Sequence, residues 1–286
     1  MSFLDDLRYR YNLFNAAERL ISLIVVCFIL PFILDTLLFL MDLPRGTFVS
    51  WFELRPEWWS LLYRPWTFIT YSFFHAGFFH LFWNMLLLYY MGQFLLNLFK
   101  PSMFYNVYFL GVLAGGLLFL LSYRLFPAFS LQTPPLIGAS AGVMAVLIFM
   151  ATYSPDQIIR LFIFNIPLKY LAIGFVVLDI IQIPYGNAGG HLAHLGGAGL
   201  GFVYARQLLS GKDIGTGFEN LWRGLVQMFR PKPLKTVYKN TSASAPKKDS
   251  YPDQASIDKI LDKISQSGYD SLSAKEKEIL FKAGKK

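Results

Sequence analysis

The feature that most constrains this chain is a succession of apolar runs, each able to cross a hydrocarbon core of about 30 Å at about 1.5 Å per residue. We read six, at residues 19–41, 70–98, 102–123, 136–153, 160–182 and 188–209. The expected fold is therefore an all-α polytopic membrane protein, a bundle of six transmembrane helices. Polar punctuation sets the ends. The first run opens after Ala17-Glu18-Arg19 and closes at Met41-Asp42, Lys100-Pro101 separates the second from the third, and the sixth runs out at Arg206. Gly138, Ser140 and Gly142 dilute the fourth. Charge is correspondingly scarce, 15% against about 25% in a soluble protein. It gathers at one end, with 16 of the 26 Lys and Arg in residues 206–286. Cys27 is the single cysteine, so no internal disulfide is expected. The opening residues, MSFLDDLRYRYNLF, are polar and lack a small-residue cleavage site, so the N-terminus is read as retained.

Basic residues favour one orientation. The N-terminus (Arg8, Arg10, Arg19), the turns holding Lys100 and Arg160, and the basic tail fall on one side, while 183–187 on the other carries no Lys or Arg. The positive-inside rule then puts both termini in the cytoplasm. Residues 42–69 are outside on this reading. They hold Trp51, Trp58, Trp59 and Trp66, a density that suits a segment lying in the outer interface.

A polar group inside the bilayer is costly and by default functional. All four histidines fall in two spans, His75 and His80 in the second, His191 and His194 in the sixth. Asn84 lies one helical turn from His80, and Ser140 opens the fourth span. Spans two, four and six run from outside to inside, so these groups sit at one depth, on the order of 10 Å below the outer surface. A serine hydroxyl needs an adjacent base to become a nucleophile, and histidine is the usual base. Asn and His side chains can stabilise the oxyanion that follows. Gly138, Gly142, Gly197 and Gly201 are small enough to let helices approach closely, as hydrogen bonding between a Ser and a His on two helices requires. By residue type alone, His191 competes with His194 for the role of base. Asp179 reads as a polar residue at the interface rather than a third catalytic member.

Three of these segments resemble the rhomboid family of intramembrane serine proteases, in its bacterial type. LIGASAGVMAVL resembles the family's G-x-S motif, AHLGGAGLG resembles A-H-x-x-G-x-x-x-G, and HAGFFHLFWNMLLL resembles H-x-x-x-N. RPWTFITYSFFH, with Arg64 and Trp66, resembles the segment that leads from the first loop into span two. The resemblance implies a catalytic dyad of Ser140 and His194, with an oxyanion hole from the Ser140 backbone N–H, His80 and Asn84. It implies serine endopeptidase activity on transmembrane segments of single-pass membrane proteins, cut near the outer face. It implies no metal and no cofactor, and residence in a bacterial plasma (inner) membrane. Ala141 departs from the family, many of whose members have Gly after the nucleophile.

The alternative reading is a non-catalytic rhomboid-like protein that binds membrane clients; such relatives typically lack the Ser or the His, and both are present here. Gly138–Gly142 also fits the G-x-S-x-G elbow of soluble α/β-hydrolases, but that motif needs a strand–turn–helix on a soluble sheet. A transporter would show paired discontinuous helices or internal repeats, and neither is evident. The expected domains are a catalytic membrane domain at 1–210, an amphipathic segment and flexible linker at 211–252, and a small cytoplasmic helical hairpin at 253–286. In the last, Ile257, Ile260, Leu261 and Ile264 form a stripe, Gly268 is a stop, and Ser273 with Glu276 forms a capping box. The expected partners are lipid and the single-pass substrates, with no nucleic acid. The sequence names no partner for the tail.

Overall fold

The computed structural model describes residues 2–161, 164–229 and 253–284. The linker expected at 231–252 lies outside the described residues. Contacts divide the chain into two compact units, Met1–Arg230 and Pro231–Lys286.

Among its described residues the first unit is mainly helical, with one short antiparallel strand pair and irregular connections such as residues 42–59 and 130–139. Its elements are α1 (Phe3–Leu13), α2 (Ala16–Leu40), α3 (Ser60–Tyr63), α4 (Thr67–Thr70), α5 (Phe78–Leu98), α6 (Pro101–Leu125), α7 (Ser140–Tyr153), β1 (Ile158–Leu161), β2 (Phe164–Pro167), α8 (Leu168–Gln182), α9 (Ala188–Leu209) and α10 (Gly215–Phe229). Four of the described helices are long and apolar enough to cross a membrane: α2, α5, α6, and α8 with its terminal turn to Tyr185. The helix α7 is apolar but has only 14 residues, a length of about 21 Å. Helix α9 has 22 residues, with its apolarity diluted by glycines and two histidines. The chain is a multi-pass integral membrane protein built as an all-α bundle.

Three of the expected spans start later in the structure. Residues 71–73 form a 3-10 turn and α5 begins only at Phe78. The fourth helix begins at Ser140 rather than 136. The apolar run at 160–182 opens as the β1–β2 hairpin, with Arg160 paired to Asn165, before α8 starts after Pro167. Ile158, Ile159 and Ile166 are β-branched and favour a pleated strand over a helix.

Helix α7 is the axis of the bundle. Every side chain from Ala141 to Ala151 is buried, as expected of a helix that is apolar all round. Its neighbours are set by glycine. Gly111 and Gly115 of α6 face Ala145 and Ala141, so α6 runs antiparallel to α7. Gly197 and Gly201 of α9 lie on the backbone of Ala141 and Ala145, so α9 runs parallel to α7. Helix α5 is parallel too: His80 reaches Gly138 at one end, and Phe99 beyond the other packs edge-on against Phe149 at 5.7 Å and Tyr153 at 4.9 Å. Thus α5, α7 and α9 start at the same end of the bundle.

Helix α2 is peripheral. Asn15 and Glu18 form a reciprocal capping box, with bonds of 3.0 and 2.9 Å. The Asn15 amide also donates to Gln93 of α5 at 2.9 Å, which fixes the foot of α2. Above that, Val26, Ile29, Phe32, Ile33 and Leu37 are exposed, as suits a helix that faces lipid. Residues 42–69 are packed rather than loose. Arg64 donates to the Ser50 carbonyl at 2.9 Å and lies over the Trp51 ring at 4.5 Å. Trp66 Nε1 donates to the Trp51 carbonyl at 2.8 Å. Leu54 and Leu136 exchange backbone hydrogen bonds of 3.1 and 2.8 Å, which ties this loop to the segment leading into α7.

In the second unit, α11 (Gln254–Ser267) and α12 (Ala274–Ala283) flank a turn at residues 268–273. Asp253 caps the first, and Gly268, at φ +80°, ends it. Ser273 and Glu276 cap the second reciprocally. Ile260 and Leu272 are buried, whereas Leu261 and Phe281 are exposed, so Leu261 stands off the expected stripe.

Candidate active site

Ser140 is the first residue of α7, and what precedes it is shaped to deliver it there. Gly138 has φ +135°, a conformation open to glycine. A side chain there would also collide with a histidine, since a β-carbon would sit 2.8 Å from His80 Cε1 and 2.9 Å from its Nε2. The Gly138 N–H donates to the Tyr71 carbonyl at 3.0 Å. The next N–H, of Ala139, donates to His75 Nε2 at 3.3 Å. These two bonds consume the donors just before the serine. The Ser140 N–H itself opens the helix, where backbone donors have no partner within the helix and the dipole is positive.

His194 reaches the same place from α9. With Gly197 seated on Ala141 and the helices parallel, the residue three positions before Gly197 lies at the level of Gly138 and Ser140. His80 and His194 are near enough to interact electrostatically across the site. Among the described residues the Ser140 hydroxyl has no hydrogen-bond partner, so the Ser–His bond is not formed in this state. Such bonds often tighten only around a substrate.

The setting of His194 departs from the sequence reading. Asp179, read from sequence as an interface residue, is 6% exposed. Its Oδ1 lies 2.8 Å from His194 Nδ1 and 2.8 Å from His191 Nδ1. An ionised carboxylate can only accept, so each neutral ring donates Nδ1–H and keeps its lone pair at Nε2. That tautomer is the one a general base needs when its other nitrogen faces a hydroxyl. Asp179 Oδ2 is buried with no partner among the described residues. The signal in the sequence is Asp179 itself, a lone carboxylate in an apolar run. Hydropathy cannot say which way the helix turns it.

Asn84 lies on the His80 face, but its Nδ2 donates to the His80 carbonyl at 2.8 Å. One of its two amide hydrogens is therefore engaged within α5. His75 packs edge-on against His80, with ring centroids 4.9 Å apart. Ala141 is buried, with its methyl against Gly115, and glycine on α6 makes room for it.

Residues 63–211 match the family model of the Rhomboid domain. Residues 248–286 match a second model, a family of unknown function (DUF6576). RHOMBOID-like protein 12, mitochondrial, of Arabidopsis thaliana is 28% identical over 158 residues, covering 51% of this chain and 47% of that protein. The chain thus spans about half the length of the curated relative it matches.

Proposed function

This chain belongs to the rhomboid family, and from that premise we propose that it is an intramembrane serine endopeptidase with Ser140 as nucleophile and His194 as base. The observation that carries the proposal is one convergence. Residues from α5, α7 and α9 meet where Ser140 opens α7, and Asp179 holds His194 by Nδ1.

The chemistry follows from these atoms. Ser140 Oγ attacks the scissile carbonyl as His194 Nε2 takes its proton. The oxyanion is stabilised by the Ser140 N–H at the start of α7, by His80, and by the remaining N–H of Asn84. His194 then protonates the leaving amine, which frees the new N-terminus and leaves an ester on Ser140. Water, deprotonated by His194, hydrolyses that ester and restores the hydroxyl. Asp179 acts through His194, as a positioning residue that keeps Nε2 free to accept. No step calls for a metal or a cofactor. The substrates are membrane-spanning segments of single-pass proteins, cut near the outer face. The distribution of Lys and Arg supports a cytoplasmic location for both termini; residence in a bacterial plasma membrane is part of the same proposal and rests on the motif resemblance alone.

The test is cleavage of a generic transmembrane substrate by the full chain in detergent or liposomes. Ser140→Ala and His194→Ala are each expected to lower the rate by about 10³-fold or more. His191→Ala is expected to lose far less than His194→Ala. In cells, the released product is the part of the substrate outside the cytoplasm. Cleavage by Ser140→Ala at the wild-type rate would overturn the protease reading and favour a protein that binds membrane clients without cutting them.

A further inference from the structure

The corner between α8 and α9 holds more than one base needs. Asp179 lies three residues before the end of α8. His191 and His194 follow at the start of α9, spaced i and i+3 so that they share a face. A ligand atom of each lies within 4.8 Å of the other two. Proteolysis by the scheme above uses His194 and one oxygen of Asp179. It leaves His191 without a task, and Asp179 Oδ2 buried without a partner among the described residues.

We propose that Asp179, His191 and His194 bind a divalent cation of zinc type, and that its occupation switches the protease off. The switching half rests on the proteolytic reading above; the binding half does not. The donor set is two imidazole nitrogens and one carboxylate oxygen. Zinc accepts this set readily with three protein ligands and an open fourth position, whereas magnesium and calcium prefer oxygen alone. Zinc bonds of about 2.0–2.2 Å in a tetrahedron put ligand atoms about 3.3–3.6 Å apart. Each Nδ1 now stands 2.8 Å from Asp179 Oδ1. Admitting the ion requires each imidazole nitrogen to move off Asp179 Oδ1 by about 0.5–0.8 Å, and all three ligand atoms already lie within 4.8 Å of one another. His191 and His194 side chains are 12% and 20% exposed, so the corner is enclosed but open to entry.

The inhibitory consequence is a matter of tautomer. With Asp179 accepting, the imidazole proton of His194 sits on Nδ1 and Nε2 carries the lone pair. A metal takes the Nδ1 lone pair instead, and the proton of the neutral ring moves to Nε2. Nε2 then donates towards Ser140 and cannot accept its proton. One ion thus removes the base and the acceptor that positions it, with no bond to the nucleophile.

The experiment uses the full chain in detergent, stripped with a chelator and titrated with Zn2+ alone. Binding is read by equilibrium dialysis with elemental analysis, and cleavage is read in parallel. One zinc per chain is expected, with cleavage lost on its addition and restored by chelator, while Mg2+ does neither. His191→Ala and Asp179→Asn should each weaken zinc binding by at least about 10-fold. Ser140→Ala should bind zinc like wild type. If Asp179→Asn does not fold, His191→Ala decides alone. No zinc bound, or zinc bound equally by His191→Ala, overturns the site. Zinc bound at this site while cleavage continues overturns the switch. Zinc bound as described by a chain that never cleaves leaves the site standing and sinks the proteolytic reading instead.

Discussion

Gly197 shows how tightly a single residue is tied to the chemistry. A β-carbon there would overlap the Ala141 carbonyl, backbone that cannot swing aside as a flexible side chain can. Helices α7 and α9 would have to separate, and Ser140 and His194 with them. Gly197→Ala is therefore expected to destabilise the bundle by about 1–3 kcal/mol and to depress cleavage further than that loss of stability explains. At Gly199, two residues on, a β-carbon would meet nothing within 4 Å, so Gly199→Ala serves as the control. Thermal denaturation in detergent, with cleavage measured well below the midpoint, checks both. Equal behaviour of the two variants would refute the argument. Half of this is legible in the sequence. The small-xxx-small row marks Gly197 and Gly201 as packing positions, because close helix approach requires missing side chains. What they pack against is tertiary, as is the fit of Ala141 into the space left by Gly115. Asp179 escapes the sequence reading for the same reason. Its burial depends on the rotation of α8, which no local pattern reveals.

At the scale of elements, local chemistry is legible and apolar boundaries are not. Gly268 and the Ser273–Glu276 box are readable because a cap depends on residues three or four apart. The start of α5 or α8 is harder to read, because an apolar residue is apolar in a turn, a strand or a helix. The α11 and α12 pair offers a test at this scale. Lys263 Nζ lies 2.9 Å from Glu276 Oε1, and the Ser273 N–H donates to Glu276 Oε2 at 2.8 Å. The Lys263 ammonium first, and then the Ser273 bonds, hold the Glu276 carboxyl at about 2, below its ordinary 4.5. The folded value is depressed. The stabilisation is therefore present in full above about 4.5 and is lost as pH falls from there towards about 2. A carbon-13 carboxyl titration of the full chain is expected to find Glu276 well below its neighbours. Lys263→Ala should raise it, and so should high salt, because the pair is exposed. A midpoint near 4.5 in the unaltered chain would show that the pair does not form.

For the whole molecule, the question is how much of the chain the proposed proteolysis needs. Every group in the proposed site lies between His75 and His194, inside the 63–211 match to the Rhomboid domain. The 248–286 match is to a family whose function is unknown, and it supplies none of those groups. Between the two lies a segment that does matter to the bundle. Tyr204 of α9 donates to Asp213 at 2.6 Å, and the same carboxylate accepts from the Gly215 N–H at 2.9 Å, where α10 begins. Gly215 has no room for a side chain, because a β-carbon would meet Tyr204 and Asn106 of α6. This joint fastens the start of α10 to two helices of the bundle, and Asp213 forms it although it lies beyond the expected boundary at 210. Two truncations should then behave differently. Ending the chain at residue 230 keeps the joint, and its cleavage rate and thermal midpoint are expected to match those of the full chain. Ending it at 210 removes Asp213 and the start of α10, so the Tyr204 hydroxyl loses its acceptor and α6 and α9 lose the joint, at a cost of about 1–3 kcal/mol. That form should melt earlier while retaining cleavage in proportion to the fraction folded. Loss of cleavage in the 1–230 form would mean that the second unit takes part in proteolysis, and that the groups between His75 and His194 do not make a complete site.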